Sequence, residues 1–135
     1  MAAVRQIITE RANNRCEYCL SPAKFLPFTF NLEHIQPRVK GGQTTLDNLA
    51  LACPGCNSFK HAKTDGIDPV THNKSRLFNP RIDQWEEHFA WSADATKMIG
   101  LTPIGRTTVS ALKMNRIQMV NFRRTLILYG VHPPT

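Results

Sequence analysis

The four cysteines of this 135-residue chain fall into two pairs of equal spacing, Cys16-Glu-Tyr-Cys19 and Cys53-Pro-Gly-Cys56. One C-x-x-C pair is compatible with a redox motif. Two of them read better as a tetrahedral site in which each knuckle supplies two thiolates to a single structural Zn2+. No apolar run near the N-terminus has signal-peptide length and no stretch approaches a membrane span, so a cytoplasmic protein with no membrane partner is expected. A reducing compartment disfavours stable disulfides, which favours zinc over a pair of cystines. Whatever lies between residues 19 and 53 must then begin and end at the same ion.

The segments around the knuckles have readable periodicities. Val4, Ile7, Ile8 and Ala12 recur at helical spacing and predict an amphipathic helix over residues 3–13, stopped at Asn13-Asn14. Residues 28–35 alternate apolar and polar side chains, as a strand does, and Pro37 ends the run. Gly41-Gly42 marks a loop, and Leu49-Ala-Leu-Ala52 is a short apolar second strand. Pro54 suits the first turn of a helix, predicted over residues 55–63, because its missing N–H costs nothing there. The connection from Gln36 to Asn48 is longer than a hairpin turn, and long ordered loops are often functional.

The formal charge of +7 favours a polyanionic partner, since Lys and Arg that neutralise phosphates release condensed counterions. Glu33 and His34 close the first strand, and Asn57 and His61 lie four apart on the predicted helix and share a face. If that face packs on the hairpin, a carboxylate, an amide oxygen and two imidazoles converge. Glu33 and Asn57 offer the oxygen ligands that hard ions such as Mg2+ or Mn2+ prefer. An uncharged His34 can take a proton from water near neutral pH. Adjacent residues of a flat strand point to opposite faces, so Glu33 and His34 serve together only if the strand kinks or ends there. Each of these residues has an ordinary alternative: a satisfied strand histidine, a surface carboxylate, a turn asparagine at Asn48 and a helix-surface amide at Asn57.

Taken in order, Cys16-x-x-Cys19, Glu33-His34-Ile35-x-Pro37, Gly41-Gly42, Asn48-Leu49 and Cys53-x-x-Cys56-Asn57-x-x-Lys60 resemble the HNH endonucleases with paired zinc knuckles. The resemblance spans residues 13–63 and implies a ββα-metal core. It implies that His34 is the general base and that Glu33 and Asn57 hold one catalytic divalent ion. Asn48 would fix the inter-strand loop and help to orient the histidine, and the products would carry 5′-phosphate and 3′-hydroxyl ends. The last letter of the family name is Asn57 here. His61 stands where other members place a further histidine and is a candidate third ligand. Glu33 replaces the commoner aspartate, which lengthens the side chain by one carbon. Arg38, Lys40, Lys60 and Lys63 flank the site and are expected to contact DNA phosphates. Arg5, Arg11 and Arg15 either do the same or solvate the first helix.

Residues 64–80 are rich in Pro, Asp, Asn and Gly and read as an extended wrapping segment. Residues 85–91 alternate as a strand, Ser92–Ala95 reads as a turn and Thr96–Leu101 as a returning strand. A short helix is predicted over 105–113. A final helix is predicted from an Asn115 cap to Tyr129, with Gly130 as its stop. In that helix Ile117, Val120, Leu126 and Ile127 are the expected core, and Arg116, Arg123 and Arg124 are left for solvent or DNA.

The expected whole is a single α+β domain over 1–135, its nuclease core at 13–63 jacketed by residues 64–135. It would hydrolyse DNA by nicking, or cut both strands as a homodimer. A zinc-stapled DNA-binding module without catalysis shares the cysteines and the charge but does not require Glu33, His34 and Asn57 together. A purely structural or protein-interaction zinc domain would leave the basic balance incidental.

Overall fold

A computed structural model describes residues 2–135, and its helices and short antiparallel strands make the chain an α+β protein. The chain divides into two compact units. The first comprises the sequence up to Thr64 together with Asn79–Asp83, and the second comprises Asp65–Phe78 and Gln84–Thr135.

In the first unit, helix α1 (Ala2–Arg11) precedes the first knuckle and buries Ile8. Its arginines, with that of Arg15, are tied to backbone carbonyls. Arg5 donates to Phe30 O at 2.8 Å, Arg11 to Leu46 O and Leu49 O, and Arg15 to Leu20 O. Strand β1 (Asn31–His34) pairs antiparallel with β2 (Leu49–Ala52), setting Glu33 opposite Ala50 and His34 opposite Leu49. Every residue of β2 is buried, as a continuous apolar run rather than an alternating one predicts. Helix α2 (Pro54–Lys60) packs on both strands and opens on Cys53, whose Sγ accepts the Cys56 N–H at 3.4 Å.

The strand expected over 28–35 is shorter than its alternation, because the Phe30 carbonyl is taken by Arg5 rather than by a partner strand. Helix α2 likewise stops at Lys60 instead of residue 63, since His61 adopts φ 48° and leaves the helical path. The loop between β1 and β2 is held by Asn48. Its Oδ1 accepts the Gln36 N–H at 2.8 Å, while Nδ2 donates to Gln36 O and Gln43 O. Gly41 turns the loop at φ 89°, and a Cβ on Gly42 would stand 1.7 Å from Gln36 O. Glu17 accepts the Leu51 N–H at 2.8 Å through one oxygen and pairs with Arg81 through the other.

The second unit departs further from expectation. Residues 64–80 contain a hairpin, β3 (Asp65–Ile67) with β4 (Lys74–Arg76), packed against α4 (Pro103–Ala111). It is anchored by Asp68, whose buried carboxylate receives Arg106 in a two-point contact and the Thr71 hydroxyl. Arg106 holds that carboxyl well below the usual carboxylate range. The alternation over 85–91 resolves into a helical turn, α3 (Trp85–His88), followed by β5 (Phe89–Trp91). Trp85 and Phe89 lie four apart and bring their rings to 5.2 Å, a helical contact that a period of two also reproduces in sequence. Strand β6 (Met98–Gly100) returns antiparallel to β5.

Helix α5 (Ile117–Leu128) has Arg116 at its N-cap position, not Asn115. The Asn115 amide instead bonds the N–H and carbonyl of Met98. Ile117 is 62 % exposed and outside the core, whereas Arg123, expected at the surface, is fully buried. Its guanidinium donates to Thr96 O and Met114 O and lies over the Trp91 ring. Arg123→Leu strips donors from two buried carbonyls. A loss of about 3 kcal/mol of stability is expected, read as a lowered urea midpoint.

Candidate active site and metal centre

The two knuckles bring all four predicted cysteines together. Cys16, Cys19, Cys53 and Cys56 are buried free thiols whose sulfur atoms lie within 4.8 Å of one another. Cys19 Sγ and Cys53 Sγ are 3.7 Å apart, matching the roughly 3.8 Å edge of a tetrahedron built on metal–sulfur bonds of about 2.3 Å. Within each knuckle a backbone N–H points at the first sulfur, Cys19 to Cys16 at 3.5 Å and Cys56 to Cys53 at 3.4 Å. Burial pushes the Cys16 thiol well up, while hydrogen bonds from Cys16, Cys53 and Cys56 hold Cys19 well below its ordinary value. Four thiolates buried this close together require a cation among them. Among the described residues this is the only group of three or more Cys, His, Asp or Glu side chains so clustered. The cysteines are positioned to bind a metal ion.

Glu33 and His34 are the last two residues of β1, where the sequence required the strand to end. Both line one open cleft of about 390 Å³, together with Arg38, Asn57 and His61. The ligand atoms of Glu33, His34 and His61 do not form a close cluster of the kind the cysteines do.

Glu33 is 4 % exposed and both its oxygens are engaged. Oε1 receives Lys60 Nζ at 2.5 Å and Oε2 receives the Tyr18 hydroxyl at 2.7 Å. Burial pushes the Glu33 carboxyl up, against the opposing pull of Lys60 and Tyr18. Lys60 Nζ also donates to Ile35 O at 2.9 Å and to His34 O at 3.3 Å. Its ammonium is thus spent inside the protein. Expected at a DNA phosphate, Lys60 is 1 % exposed and turned inward, because a buried carboxylate requires a cation nearby. Arg38, Lys40 and Lys63 are exposed, with Lys63 Nζ resting on Phe59 O.

His34 is half-buried, and its Nε2 lies 2.8 Å from Thr44 Oγ1 in the inter-strand loop. Desolvation, with Arg38 and Lys60 adding repulsion, lowers its pKa and favours the neutral ring. Asn48 fastens the loop that carries Thr44, so its reach to His34 runs through the backbone it holds. His61 is exposed just past the end of α2. Tyr18 and Thr44 were missed in the sequence. Tyr18 had one signal, a hydroxyl set between two cysteines that a metal would bury. Thr44 had none, being one of several polar loop residues.

The family model described as HNH endonuclease matches residues 16–63, which include both knuckles, the hairpin and α2. No curated protein and no solved structure matches the chain. The match points to a nuclease or DNA-binding function for that segment.

Because metal at a closed cysteine site contributes folding energy directly, stripping it with a chelator is expected to unfold the first unit. The readout is loss of ellipticity together with the appearance of four titratable thiols per chain.

Proposed function

Taking residues 16–63 as an HNH endonuclease domain for premise, we propose that the chain is a metal-dependent endonuclease hydrolysing DNA phosphodiester bonds, with His34 as general base. The observation that carries this reading is the position of His34. A half-buried imidazole, biased to neutrality and tethered by Thr44, opens on the same cleft as Glu33 and Asn57.

The arrangement of β1, β2 and α2 supports a ββα-metal core, and the four cysteines support Zn2+ as its structural ion. Glu33 and Asn57 are the proposed ligands of a catalytic Mg2+ or Mn2+, with His61 as the candidate third. Glu33 gives one lone pair of each oxygen to Tyr18 and Lys60 and so keeps acceptor capacity at both. With the Asn57 amide oxygen, the donor set suits a hard cation. When bound, that ion supplies Lewis-acid stabilisation of the scissile phosphate and of the departing 3′ oxygen.

With Nε2–H donated to Thr44, the His34 lone pair sits on Nδ1, where it takes a proton from the attacking water. The water oxygen forms a bond to phosphorus as the bond from phosphorus to the 3′ oxygen breaks, and the 3′ oxygen takes a proton from solvent in the open cleft, leaving 5′-phosphate and 3′-hydroxyl ends. Arg38, Lys40 and Lys63 are the proposed partners of flanking phosphates, their exposure supporting contacts that position the duplex without reading its bases.

Supercoiled plasmid should be nicked in Mg2+ or Mn2+ and left intact in EDTA. His34→Ala should lose at least about a hundredfold in rate while keeping fold and DNA affinity, as expected for removal of a general base. Cleavage by neither protein, with DNA still bound, would support the non-catalytic DNA-binding module instead. The lowered His34 pKa adds a sign. The rate should rise with pH as His34 deprotonates, with its midpoint below the ordinary value of about 6.5.

A further inference from the structure

Tyr18 lies between the two cysteines of the first knuckle and is completely buried. A phenylalanine would fill the same volume without a polar atom to desolvate, so the buried hydroxyl costs stability unless its partner compensates. Its partner is Glu33 Oε2, at 2.7 Å. The other oxygen of the same carboxylate is held by Lys60, the last residue of α2, the helix that carries Cys56 of the second knuckle.

Tyr18 of the first knuckle and Lys60 at the end of α2 therefore each send one donor to Glu33, and the two donors grip different oxygens. One hydrogen bond leaves a carboxylate free to turn about its last torsion. Two, from anchors on separate elements, fix that torsion. Lys60 completes its bonding on the carbonyls of Ile35 and His34, so the same clamp also pins the end of β1, where the candidate base stands.

We propose that Tyr18 is a positioning residue that, opposite Lys60, sets the Glu33 carboxylate for the catalytic cation and so couples the cysteine centre to the cleft. This rests on the reading of Glu33 as a ligand of that cation. Groups that hold a metal ligand from behind are worth about 10- to 100-fold in metal affinity.

The test uses the full chain with its cysteine site loaded with zinc, and titrates Mn2+ by calorimetry without DNA. Tyr18→Phe is expected to keep its zinc content and its fold, with a lowered thermal midpoint because the buried Glu33 Oε2 loses a donor. It should bind Mn2+ about tenfold more weakly. Glu33→Gln, the comparator, should weaken Mn2+ binding at least as much. Unchanged Mn2+ affinity in Tyr18→Phe overturns the proposal, and so does loss of zinc or of the fold, which would make Tyr18 a knuckle residue only. Unchanged affinity in Glu33→Gln overturns it as well, by removing Glu33 from the ligand set. Plasmid cleavage is scored separately. Its absence in the unmodified protein would count against the nuclease reading, while the Mn2+ titrations still decide the role of Tyr18.

Discussion

The first unit depends on four sulfur atoms meeting within a few ångströms. That meeting fixes where the chain enters and leaves the hairpin, since Cys19 precedes β1 and Cys53 caps α2. Little else in the unit could do so. The strands are four residues each and α1 buries one side chain completely. A paired hairpin of this length is marginal alone in water. Held at both ends by the knuckles and covered by α2, it becomes a rigid shelf on which Glu33 and His34 stand next to each other.

The elements near the cysteines were the most legible in sequence, for a physical reason. Leu49–Ala52 is an uninterrupted apolar run because β2 is buried throughout, and Pro54 marks the helix start because its absent N–H is tolerated only there. Glu33, His34 and Asn57 could be placed at one cleft from spacing on the condition that the helix packs on the hairpin, and His61 lines that cleft from just past the helix end. What spacing could not give was the direction of each polar group. Lys60 looks like any basic residue beside a nucleic-acid site, and only the buried carboxylate facing it shows that its charge is used internally. Arg5, Arg11 and Arg15 are similar, since the carbonyls they hold are supplied by distant backbone.

In the second unit the sequence misled where local pattern and tertiary packing disagreed. Trp85 and Phe89 satisfy a period of two and a period of four alike, and the helical turn brings their tilted rings to 5.2 Å. Strands β3 and β4 have three residues each and too little alternation to register. Their hairpin owes its place to Asp68 and Arg106, separated by 38 positions in the chain. Asn115 has the composition of a cap, yet its amide pairs with both backbone groups of Met98.

The path of the chain has a consequence for how this protein can be divided. Asn79–Asp83 belongs to the first unit although the residues on either side of it belong to the second. Arg81, carried by that short return, pairs with the half-buried carboxylate of Glu17 inside the first knuckle. A fragment cut after Thr64 would contain every residue matched to the nuclease family and would still lack the Arg81 cation that pairs with that carboxylate. The segment that carries the family likeness is therefore smaller than the piece of polypeptide that satisfies its own charges. Evolutionary shuffling of the motif as a cassette would have to move the later return with it, or replace Glu17.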